Sequence, residues 1–147
     1  MRRVISMLLA LMTGDSALAE TLELSEYFGG DIAAAAEAIG GLEYAAGEEF
    51  TDNYTGKEVV LRGQDGLVTC IELTEVPGAY TLCGVAAGMA RDEVLALMES
   101  RPQLWIYDEE VAWTVVSDEE NRLLDRVLTV FFDEDGRVSG AWYRTGM

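Results

Sequence analysis

Leu128-Thr-Val-Phe-Phe-Asp-Glu-Asp-Gly-Arg-Val-Ser-Gly-Ala-Trp-Tyr143 reads as two strands joined by a turn. β-Branched and aromatic residues fill both arms. Glu134-Asp135-Gly136 between them is a three-residue loop with glycine where a left-handed backbone is needed. A regular register through this loop puts Leu128, Val130 and Phe132 on one side with Val138, Gly140 and Trp142. That side is wholly apolar and is expected to meet a helix, which places Phe132 and Trp142 in the core. The other side carries Val127, Thr129, Phe131, Ser139, Ala141 and Tyr143, a mixed surface that can be solvated or can bind something.

The turn has an echo upstream. Asp65-Gly-Leu-Val-Thr69 matches Asp135-Gly-Arg-Val-Ser139, and a helix signal precedes each of them. The first, Asp31-Ile-Ala-Ala-Ala-Ala-Glu-Ala-Ile39, is capped by Asp31 and ended by Gly40-Gly41. The second, Arg91-Asp-Glu-Val-Leu-Ala-Leu-Met98, is stopped by Arg101-Pro102. A helix-plus-strands unit written twice predicts an α+β fold: two tandem helix-plus-antiparallel-sheet repeats stacked in a single compact domain. The boundaries are a signal peptide at 1–19, repeat 1 at 20–85 and repeat 2 at 86–147, with an insertion in the second copy near Asp118–Arg122. In the first copy Val60, Val68 and Cys70 share one face and Val59, Leu61 and Ile71 the other. Neither side wins on hydrophobicity, so the core face of that repeat stays open.

Arg2 and Arg3 followed by an apolar Val4–Met12 and by Ala17-Leu18-Ala19 read as a secretory leader cleaved after Ala19. The apolar run is too short to span a bilayer. The expected location is secreted or periplasmic, with no membrane insertion. Formal net charge is −17, with no histidine. So acidic a chain is repelled by nucleic-acid phosphates and anionic lipid, which argues against both as partners. The charge serves solubility, and it would also steer encounter with a basic partner outside the cytoplasm.

Cys70 and Cys83 are the two thiols. In an exported chain an even count predicts a disulfide, here Cys70–Cys83, with two buried thiols as the alternative. Neither a C-x-x-C spacing nor a histidine supports a redox or metal role, and no cofactor is expected. Glu48-Glu49, Asp108-Glu109-Glu110 and Asp118-Glu119-Glu120 could supply paired carboxylates to a small hydrolase, but each cluster sits at an expected turn, where charges are ordinarily solvated. Asp133-Glu134-Asp135-Gly136 lacks the ligand spacing of a calcium loop and is accounted for by turn chemistry. Catalytic residues are therefore assigned as none, and the chain is read as a non-enzyme. Asn53-Tyr54-Thr55 is a glycosylation sequon wherever the export route glycosylates.

Gly88-Met-Ala-Arg-Asp-Glu-Val-Leu-Ala-Leu-Met98, Pro102 and the Leu128–Val138 hairpin resemble the SmpA/OmlA family and the related repeat of the β-lactamase inhibitory proteins. The resemblance covers about residues 86–144, with a weaker echo in the first copy. It implies helix-backed antiparallel sheets whose curved, aromatic-bearing surface docks another protein. The residues it points to are Trp105, Tyr107, Trp113, Phe131 and Tyr143. The function so implied is an exported protein-binding module, an inhibitor or sequestering partner of a secreted or envelope enzyme. The alternative is an envelope assembly factor of the SmpA/OmlA type. A cystatin- or PepSY-like unit shares the same helix-then-strands order.

Overall fold

The computed structural model describes residues 21–46, 51–74, 76, 78–99, 104–106, 110–116 and 126–145. The expected leader, the insertion near Asp118–Arg122 and Tyr107 lie outside the described residues. So do the acidic clusters, except for Glu110.

After strand β1 (Leu22–Glu23) and a 3-10 turn (Leu24–Tyr27) comes helix α1 (Ile32–Ile39). Asp31 caps it by accepting from the Ala34 N–H at 2.8 Å. Strands β2 (Glu43–Ala46), β3 (Thr51–Thr55), β4 (Val59–Gln64) and β5 (Leu67–Leu73) follow, then the short β6 (Tyr80–Thr81). Helix α2 (Arg91–Glu99) leads into β7 (Leu104–Ile106), β8 (Val111–Val116), β9 (Arg126–Phe132) and β10 (Val138–Thr145).

The fold is mostly β, which corrects the expected α+β pair of repeats. Eight strands make one continuous antiparallel sheet in the order β2-β3-β4-β5-β10-β9-β8-β7. The helices are only 8 and 9 residues long and lie on that sheet as accessories. The physical reason is the seam. β5 and β10 would each be an open edge in a separate module, but they pair with each other from Leu73↔Ala141 to Cys70↔Arg144. Joining two ladders removes two unpaired edges, which are costly to leave exposed.

The doubled motif survives as a doubled local device inside this one sheet. At α1, the Ile32 N–H donates to the Gly66 carbonyl, Gly29 donates to Val68, and Val68 donates back to Gly30. At α2, Arg91 donates to Gly136, Gly88 to Val138, and Val138 back to Met89. Each Asp-Gly turn thus ties down the start of the helix that precedes it. The first turn is a tight two-residue one, with Asp65 at φ 55° and Gly66 at φ 80°, both left-handed.

Alternation along the strands sorts the sheet into two faces. Val59, Leu61, Val68, Ile71, Leu73, Leu128, Val130, Phe132, Ala141 and Tyr143 are buried, in one cluster with Ile32, Ala35 and Ala36 of α1 and Val94 and Met98 of α2. Gly63 lets α1 approach closely: a Cβ there would lie 2.7 Å from Ile32 Cδ1 and 2.6 Å from the Leu67 carbonyl. Leu24, fully buried, fills the same layer from the N-terminal side. No described helix covers the opposite face.

Candidate functional site

The open face is read off strand parity and two irregularities. In the β9–β10 hairpin the register runs Val138↔Phe132 but Gly140↔Phe131, so Ser139 is an extra residue. A single bulge moves every later side chain to the other side of the sheet. Tyr143, assigned to the binding surface by a regular register, is therefore in the core at 2% exposure, its ring edge-on to Phe28 at 5.1 Å. Trp142, assigned to the core, is on the open face at 36% exposure. Phe132, ahead of the bulge, is buried as expected.

A second bulge, opposite the Arg62–Gly63 step of β4, has the same consequence in the first hairpin: Arg62 pairs with Cys70 but Gly63 with Val68, so Thr69 of β5 is the extra residue. It sets Val68 with Val59, Leu61 and Ile71 in the core and leaves Val60 and Cys70 facing outward. This settles the face that hydrophobicity alone left undecided.

The pairings then define rows across the open face. One passes through Val60, Glu72, Trp142, Thr129 and Trp113. Trp105 of β7 is in register with Trp113. The next row passes through Arg62, Cys70, Arg144 and Val127. Phe131 and Trp142 stack edge to face at 4.9 Å, and the Arg144 guanidinium lies over the Trp142 ring at 5.3 Å. Arg62 Nε donates to a Glu72 carboxylate oxygen at 2.5 Å. Aromatic rings and guanidinium groups are thus held by neighbours on their own rigid sheet, the arrangement favoured at protein interfaces. Of the residues first assigned to the surface, the structure gathers Trp113 and Phe131, with Trp105 in register, and buries Tyr143. Sequence reasoning missed Trp142, Arg144 and Arg62.

No disulfide joins Cys70 to Cys83. The expected bridge is absent, with the two thiols on different sides of the sheet. Cys70 points outward between Arg62 and Arg144, whereas Cys83 packs against the core cluster on the helix side. Burial, with a smaller push from Glu72, raises the Cys70 thiol to about 11 against the pull of Arg62 and Arg144.

Two further polar features have structural roles. The Glu23 carboxylate accepts from Thr81 Oγ1 (2.9 Å) and from the backbone N–H groups of Ser25 (3.0 Å), Cys83 (2.7 Å) and Gly84 (2.9 Å). Its burial alone would raise the carboxyl pKa, but the bonds from Ser25, Gly84 and Cys83 outweigh that and lower it. The clamp fastens β1 alongside β6. In the 133–136 loop, Asp133 Oδ1 accepts from the Asp135 and Arg137 N–H groups at 2.9 and 3.0 Å. That carboxylate is committed to the turn. Among the described residues no group of His, Cys, Asp and Glu side chains is arranged to hold a metal ion. A shallow cleft of about 290 Å³ is lined by Gly40, Gly41, Lys57, Glu58 and Tyr80. No helix among the described residues is long and apolar enough to cross a membrane.

No protein-family model, curated protein or solved structure matches the chain.

Proposed function

We propose that this chain is an exported, non-catalytic protein-binding module whose docking surface is the open face of the sheet. The observation that carries the reading is the exposed Trp142, stacked on Phe131 and roofed by Arg144, in the middle of a sheet whose other face is closed by two helices. Trp, Phe and Arg held rigidly in one patch contribute disproportionately to protein association. A net charge of −17 speeds encounter with a basic extracytoplasmic partner and disfavours nucleic acid and anionic membrane. The sharpest form of the reading is an inhibitor or sequestering partner of a secreted or envelope enzyme.

The test is comparative capture. The mature chain and a Trp142→Ser/Phe131→Ser variant are immobilised and exposed to the exported fraction of the source cells. One stoichiometric protein held by the parent and lost by the folded variant is the expected result. If that protein is a hydrolase whose activity falls in the complex, the module is an inhibitor; envelope assembly components would identify a structural role instead. Equal retention by both chains contradicts the reading.

A further inference from the structure

In a chain that is acidic overall, the open face sets two arginines side by side, and this specifies what that spot can hold. Arg62 and Arg144 are both in register with Cys70, one on each flanking strand, and both are exposed. With neighbouring strands about 4.8 Å apart, their Cα atoms sit about 10 Å apart across Cys70. Two arginine side chains can converge on a single group over that span. Both guanidinium groups are already positioned by the chain itself: Arg144 lies on the Trp142 ring, and Arg62 is tied to Glu72 at 2.5 Å. The Arg62 side chain is still half exposed, while that of Glu72 is only 19% exposed, so Arg62 keeps donors facing solvent. Cys70 between them stays a neutral thiol and adds no opposing charge. The floor beside this pair is apolar, made of Val60, Val127, Phe131 and Trp142.

The geometry points to a carboxylate socket: Arg62 and Arg144 receive one Asp or Glu side chain from a partner loop, whose flanking apolar residues lie on Trp142 and Phe131. This rests on the open face being the docking surface and adds the partner's chemistry. The two charge effects act at different ranges. The acidic chain attracts a partner that is basic overall, and the arginine pair then selects the one acidic residue that fixes its orientation. Glu72 tempers the socket, because its carboxylate competes for Arg62.

The probe is an end-capped peptide, acetyl-Ala-Leu-Glu-Leu-Ala-amide, titrated into the isotope-labelled mature chain. Arginine Nε–H and indole N–H resonances are followed by NMR, and the Gln and Lys versions of the peptide serve as controls. The Glu peptide is expected to shift the Arg62, Arg144 and Trp142 signals saturably, with the Gln and Lys versions at least about fivefold weaker. Arg144→Gln should weaken Glu-peptide binding to the level of the Gln peptide. Glu72→Gln, which releases Arg62, should tighten it severalfold, a response that no purely apolar contact would give. Equal binding of all three peptides, shifts confined to other residues, or indifference to both substitutions would overturn the socket. The docking surface itself would still stand if capture of a partner remained dependent on Trp142, so the two ideas fail separately.

Discussion

Replacing Tyr143 and Trp142 in turn separates the two faces of β10. Tyr143 is 2% exposed, contacts Phe28 edge-on at 5.1 Å and accepts from Arg126 at 3.4 Å. Truncating a fully buried large ring leaves a cavity the backbone cannot close, so Tyr143→Ala should cost about 3–5 kcal/mol. Trp142 is 36% exposed, and its main loss on truncation is the stack on Phe131. Trp142→Ala should therefore cost about 1 kcal/mol. For a domain of this size each kcal/mol shifts Tm by about 3–5 °C, so the two variants should melt roughly 6–20 °C apart. Urea unfolding followed by far-UV circular dichroism gives both free energies, and near-equal m-values show that the comparison is fair. Tyr143→Phe keeps the ring and should stay within about 1 kcal/mol of the parent, which guards against a Tyr143→Ala chain that does not fold. The reasoning is wrong if Trp142→Ala is the more damaging of the two, because that ordering belongs to a hairpin without the bulge.

Gly63→Ala forces a methyl group to within 3 Å of both Ile32 and the Leu67 carbonyl, so it should destabilise by about 1–3 kcal/mol in chemical denaturation. Glu23→Gln removes a carboxylate that accepts four hydrogen bonds and should cost about 1–3 kcal/mol at pH 7. Because the folded-state pKa of Glu23 is lowered, its contribution is fully present above the unfolded carboxyl value near 4.5 and is lost as pH falls through the folded value. The gap between parent and variant should accordingly close in acid, and a gap independent of pH would contradict the clamp. Cys70, with its thiol near 11, should react with a maleimide at pH 8 far more slowly in the native chain than after unfolding. Alkylation of the unfolded chain without reductant should add two labels, and a mass lacking both would restore the disulfide.

Much of the strand layout was legible in the residues. Period-two alternation located β4, β5, β8, β9 and β10, and Asp31 with Gly40-Gly41 bounded α1. The doubled Asp-Gly motif was visible too, but what it builds was misjudged. Two copies of a helix and its strands suggest two modules, and only the β5–β10 pairing reveals that the sheet passes between them without a break. Strand partners far apart in sequence leave no local signature. The faces of β10 were misassigned for a different reason. Nothing in Arg137-Val-Ser-Gly-Ala-Trp announces that Ser139 is extra, although glycine at 140, where a Cβ would come within 3.2 Å of the Leu73 carbonyl, is a hint of close backbone approach. That one-residue slip hid Trp142, and with it Arg144, from a sequence-level search for a site. The same blindness to facing explains the misplaced disulfide, since spacing alone cannot tell that Cys70 and Cys83 lie on opposite sides of a sheet.

Site-specific photocrosslinking tests the central claim most directly. A benzophenone side chain is placed at position 142 or 131 on the open face, and at Ala33 or Glu37 on the exposed side of α1. The protein is then irradiated in the exported fraction of the source cells. One discrete protein adduct from positions 142 and 131, with none from 33 and 37, is the predicted outcome. Adducts from the helix positions alone, or the same adduct from all four, would mean that the aromatic face of the sheet is not where this protein meets its partner.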